Sequence, residues 1–196
     1  MKFSEFLEEE GVDDPSPGDL KRVKRDGLAL RFIRNQTPEV CLAAAMQNSS
    51  ALELVKEQTH ELCLKMVEKN GNNIQFVRDQ TEDLCLIAVE SDGNLLKHIR
   101  NQTHDVCMAA MKKSHGWALS SVKHQTPEIC LEAVRRNGGV LHRVHEQTPE
   151  ICMAAVEDDP EVLFDVKVQT IEICQAAVRK DANAIEYVDR SIFDEE

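Results

Sequence analysis

The dipeptide Gln-Thr recurs at positions 36, 58, 80, 102, 125, 147 and 169, so successive copies are 22, 22, 22, 23, 22 and 22 residues apart. Four residues after each threonine stands a cysteine: Cys41, Cys63, Cys85, Cys107, Cys130, Cys152 and Cys174. These are all seven cysteines of the 196-residue chain. A fixed period of this length marks a repeat architecture, in which a unit buries its apolar face only by stacking on its neighbours.

One unit reads TPEICLEAVRRNGGVLHRVHEQ, from Thr126 to Gln147. The threonine suits a helix N-cap, its hydroxyl accepting from a first-turn N–H. Pro38, Pro127 and Pro149 follow the threonine in three units, where a proline loses no hydrogen bond. The next residue is acidic in all seven units, as at Glu39, Asp105 and Glu172, which favours the positive end of the helix dipole. Apolar residues then fall at +3, +4, +7 and +8 from the threonine, one face of a helix of about ten residues. Asn-Gly or Asp-Gly breaks it at 70–71, 92–93 and 137–138, and the glycine is expected to adopt the left-handed conformation that ends helices. A second short helix is expected next, marked by one i, i+3 apolar pair per unit, such as Leu52 and Val55 or Leu141 and Val144. The fold class is therefore all-α, an α-solenoid of tandem 22-residue helix-turn-helix repeats. The expected organisation is an acidic N-terminal cap over 1–15, an array of one degenerate and seven full units over 16–190, and an acidic tail over 191–196.

The units resemble a short repeat family of bacterial, viral and protist proteins, known only as a domain of unknown function. The shared pattern is Gln-Thr-Pro-Glu-Ile-Cys-Leu-x-Ala-Val, then Asn-Gly, then a short second helix, over residues 16–190. Ser49, Pro160 and Ala182 in place of glycine, and Gln175 in place of the apolar residue after cysteine, depart from it. The resemblance brings no catalytic residues. It implies a host-directed binding role, such as a phage- or pathogen-encoded inhibitor of a host complex.

Charge is distributed unevenly. Of the net −12, residues 1–19 contribute −6 and 181–196 contribute −5, leaving −1 for residues 20–180. Residues 97–145 hold eight Lys/Arg against three acids, and six of the seven histidines. A basic island thus lies between acidic ends. No run of 18 apolar residues exists, so no membrane span is expected, and MKFSEFLEEE has no apolar signal core. Seven cysteines at one core-facing position, one helix spacing apart, read as unpaired buried thiols and point to the cytoplasm. No catalytic motif, metal set or cofactor site is expected, and His124, His142 and His145 read first as a solvated basic face.

A basic residue stands two before each glutamine, at Arg34, Lys56, Arg78, Arg100, Lys123, His145 and Lys167. It is placed to meet a helix C-terminus or the next unit's first-turn acid; the alternative is a stripe that tracks phosphates. The position four before glutamine varies from unit to unit: Phe32, Leu54, Phe76, His98, Ser121, Arg143, Asp165, Tyr187. Variable positions in a repeat array mark the binding face. The candidate partner-binding residues are Lys97, His98, Arg100, Trp117, Lys123, His142, Arg143 and His145, with the apolar Leu54 and Phe76. The expected function is a non-catalytic scaffold that binds a protein with an acidic surface; the alternative is a nucleic-acid or nucleoprotein binder through residues 97–145.

Overall fold

A computed structural model describes residues 17–193 of the chain; the expected N-terminal cap over 1–15 and the last three residues of the expected tail lie outside the described residues. Among the described residues there are eight α-helices, nine 3₁₀-helices and no strand. The α-helices are α1 (Pro17–Arg25), α2 (Pro38–Gln47), α3 (His60–Lys69), α4 (Glu82–Ser91), α5 (His104–Ser114), α6 (Pro127–Arg136), α7 (Pro149–Asp158) and α8 (Ile171–Lys180). A 3₁₀-helix follows each: η1 (Gly27–Phe32), η2 (Ser49–Leu54), η3 (Gly71–Phe76), η4 (Gly93–His98), η5 (Trp117–Ser121), η6 (Gly138–Arg143), η7 (Pro160–Asp165) and η8 (Ala182–Tyr187); a last one, η9 (Arg190–Phe193), reaches into the span expected as tail. The fold is the expected all-α solenoid of helix-turn-helix repeats. The chain divides into two compact units, residues 1–88 and 89–196.

The threonines cap as their position predicts. Thr37, Thr59, Thr103, Thr126, Thr148 and Thr170 each accept from the N–H three residues on, at 3.3–3.5 Å. Thr81 instead donates its hydroxyl to the Asp83 carboxylate. Ten-residue helices are marginal alone, and what holds them is the buried face: Val106, Cys107, Ala110 and Met111 in α5, or Ile151, Cys152, Ala155 and Val156 in α7.

The second helix of each unit is 3₁₀ rather than α, a winding with which the i, i+3 apolar pair is compatible. An i, i+3 apolar pair eclipses on a helix of three residues per turn. In η6, Leu141 is fully buried and Val144, the C-cap, returns its N–H to the Leu141 carbonyl. The preceding Asn or Asp does two jobs. Asn137 ends α6, donating its N–H to the Ala133 carbonyl, and starts η6, its side chain accepting from Gly139.

The glycines act differently from the sequence expectation. Among the described residues only Gly116 has a positive φ, beside His115 at φ 52°. Gly93 and Gly138 have a different reason. A Cβ on either would lie under 3.0 Å from a backbone oxygen of the next helix, Ala110 or Ala155. Glycine is there to let one unit's 3₁₀-helix touch the next unit's α-helix. The alanine three residues after the cysteine, Ala110 or Ala155, is the other half of that contact.

Within residues 1–88, α1 packs on α2, α2 on α3, and η1, η2 and η3 follow one another. Within residues 89–196, α5 to α8 pack in succession, as do η4 to η8. Each compact unit is thus two layers, one of α-helices and one of 3₁₀-helices. The glutamines sew successive repeats together. The Gln58 amide donates to Leu52 O at 2.8 Å and Phe76 O at 3.0 Å, and its oxygen accepts from Arg78 N at 2.7 Å. Gln147 does the same with Leu141 O, Asp165 O and Lys167 N.

Candidate functional site

The variable position enters this stitching only through its main chain. The carbonyls that receive a neighbouring glutamine amide belong to Leu54, Phe76, Ser121, Arg143, Asp165 and Tyr187. Any residue supplies a carbonyl, so the glutamine contact makes no demand on the side chain.

Within residues 89–196 the structure brings three of the candidate residues together. The one-residue insertion at Ser114-His115-Gly116 turns the chain through two left-handed residues and sets Trp117 at the head of η5, 48% exposed. Arg143, on η6, lies with its guanidinium 5.0 Å from the centre of the Trp117 ring. It also donates to Trp117 O at 3.4 Å and to His142 Nε2 at 3.2 Å. His142 is fixed in turn by its Nδ1, 2.8 Å from Gly139 O. An Arg cation over an indole face is attractive by roughly 0.5–1 kcal/mol at an exposed site. Lys97 and His98 end η4, which packs on η5; Lys97 is exposed and His98 half-buried.

Two residues that the candidate set omits extend this edge. Phe164 on η7 and Tyr187 on η8 stack at 5.8 Å, tilted 55°, and are 64% and 38% exposed. Their signal was present, since Tyr187 occupies the variable position and Phe164 the place just before it, but an aromatic beside a valine-leucine core pattern reads equally well as buried. The edge of η4 to η8 therefore presents, in order, cation, tryptophan, arginine–histidine, and an aromatic pair.

The other basic candidates lie elsewhere. The Lys123 ammonium donates to Arg100 O at 2.6 Å. Lys56 donates to Arg34 O at 2.5 Å, Lys167 to His145 O at 2.9 Å, and Arg78 to Lys56 O at 3.1 Å. Each reaches back one repeat to the residue equivalent to itself. These cations satisfy loop carbonyls, in addition to any favourable dipole at a helix end. His145 is exposed, its backbone N–H donating to the Gln125 oxygen. Leu54 and Phe76, within residues 1–88, are only half-buried neighbours on η2 and η3. Among the described residues of that unit the most exposed ring is Phe32, 68% exposed and flanked by Arg22 at 5.4 Å and Arg31 at 5.9 Å.

Burial covers the thiols. All seven are buried and free. Burial raises the pKa of Cys41, Cys63, Cys107, Cys152 and Cys174, and pushes Cys130 up to about 11. Among the described residues no group of three or more His, Cys, Asp or Glu side chains is arranged to hold a metal ion. No described helix is long and apolar enough to cross a membrane.

A family model described as a domain of unknown function, DUF4116, matches residues 60–103. That span is two consecutive repeats, from His60 after one Gln-Thr to Thr103 of another. No curated protein and no solved structure matches the chain.

Proposed function

We propose that the chain is a non-catalytic binding scaffold whose η4–η8 edge docks a protein partner with an acidic surface. The observation that carries this reading is the exposed Trp117–Arg143–His142 cluster, placed on positions whose side chains the stitching does not use. Tryptophan and arginine are the residues that most often dominate binding energy at protein interfaces. Lys97 adds a further cation to the same edge. The buried thiols support the absence of covalent chemistry, since a raised pKa keeps the nucleophilic thiolate scarce.

The nucleic-acid alternative rests on a row of cations that follow a phosphate backbone. The row that sequence suggests is occupied: Lys56, Lys123 and Lys167 each hold a carbonyl of the preceding repeat. That favours a protein partner. The single tryptophan makes the test direct, because its emission reports on the site itself. Titration of the full chain with peptides that pair Asp/Glu with one apolar anchor should shift that emission. Trp117→Ala with Arg143→Ala, scored by a fluorophore on the peptide, should weaken binding by roughly tenfold or more, the equivalent of about 1.4 kcal/mol. An affinity for single-stranded oligonucleotides that falls steeply with salt, with no peptide bound, would replace this reading with the alternative.

A further inference from the structure

Among the described residues of 89–196, α8 and η8 expose the face that is buried in the preceding repeats. In residues 89–196 the core residue of the 3₁₀-helix is Leu96, Leu119, Leu141 or Leu163, each 0% exposed. Its equivalent in η8, Ile185, is 62% exposed. With Val178, Val188 and the Cys174 side of α8 it floors an apolar hollow of about 850 Å³. One departure from the repeat pattern adds to the apolar lining. The residue after threonine is His104, Pro127 or Pro149, but Ile171 here, 43% exposed. A face left to water would call for a polar residue at this place, as at Gln175. Among the described residues, the charges that line the hollow are Arg179 and Arg190, both cations.

We infer that this face binds a second copy of the chain, through residues 3–10 of its N-terminal segment. The face continues the series of stacking surfaces inside the chain, each of which receives a short amphipathic segment. The segment has the complementary chemistry. Phe3, Phe6 and Leu7 are spaced i, i+3 and i+4, the spacing of one helical face, and Glu5, Glu8, Glu9 and Glu10 surround them. Apolar residues meet the Ile185 floor, and glutamates meet Arg179 and Arg190. A twofold pairing of the face with itself would instead set these arginines against their own copies. The contact is head-to-tail, between different patches, so it does not close on itself and adds copies without a fixed end.

Sedimentation velocity of the full chain across the micromolar range tests this. The mean mass should rise continuously with concentration. Ile185→Glu should weaken association by roughly tenfold or more, and so should Phe6→Glu combined with Leu7→Glu. Mixed, these two variants should form a 1:1 dimer that grows no further, because one keeps only the segment and the other only the face. Should Ile185→Glu misfold by circular dichroism, Arg179→Glu, an exposed change, should weaken association by repelling the glutamates. A chain that stays monomeric throughout overturns the inference. So does association that survives the Phe6/Leu7 variant, which would assign the face to another occupant.

Discussion

The cysteine at each repeat shows how a reactive residue type becomes a packing residue. Its backbone N–H closes the first helical turn onto the threonine carbonyl, at 3.0 Å for Cys107 and Thr103, and its side chain is buried. Sulfur fits there because it is apolar, small and polarisable. Replacing Cys107 by Ser keeps the size and adds a hydroxyl in an apolar site, at an expected cost of about 1–3 kcal/mol. Urea denaturation of the variant checks this, and a difference below the error of the fit would assign the cysteine another role. The role of these residues was legible in sequence because one position repeats seven times. The role of the glycines was not. A left-handed turn and a close backbone approach both demand glycine, and only the neighbouring helix, 17 residues on in sequence from Gly138 to Ala155, distinguishes them.

At the scale of one element, that contact makes a sharp test. Gly138→Ala drives a methyl group into the Ala155 carbonyl, and backbone on both sides resists the move. The expected loss is about 1–3 kcal/mol, the usual cost of overpacking, read as a lower midpoint in thermal or urea unfolding. An unchanged midpoint would mean that the two helices are farther apart than described. The same scale shows where sequence reading stopped. The existence, order and apolar stripe of the second helices follow from their i, i+3 pairs. Their 3₁₀ winding follows from six residues held between an Asx cap and an extended C-cap, as in η6, which the pattern alone leaves open. Trp117 is similar. The insertion that precedes it is plain in sequence, but its ring's stacking on Arg143, 26 residues later, depends on the registry of η5 and η6.

For the molecule as a whole, charge is the property that sequence describes best and assigns least. The basic island was visible as composition. Which cations face outward was not, because Lys123 and Lys167 find carbonyls that only the stacking of repeats brings within reach. Four acids stand out at the α-helix starts. Lys65 beside Glu61, the hydroxyl of Thr81 beside Asp83, and the carboxylates' own backbone N–H groups at Glu128 and Glu172 hold these four below the usual carboxylate range. Folded chains therefore bind fewer protons than unfolded ones in acid. The stability that these acids contribute is complete above about pH 4.5 and is lost as pH falls through their lower folded values. Urea midpoints measured from about pH 5 down to about pH 3 should fall monotonically; a midpoint that held or rose would contradict these assignments.

The glutamine amides take hold of the variable positions by the carbonyl alone. That makes those positions anonymous to the fold: Leu54, Ser121, Arg143 and Asp165 all serve it equally. Heritable change can therefore rewrite the η4–η8 edge one side chain at a time, exploring new partners while every rung of the scaffold stays as it was.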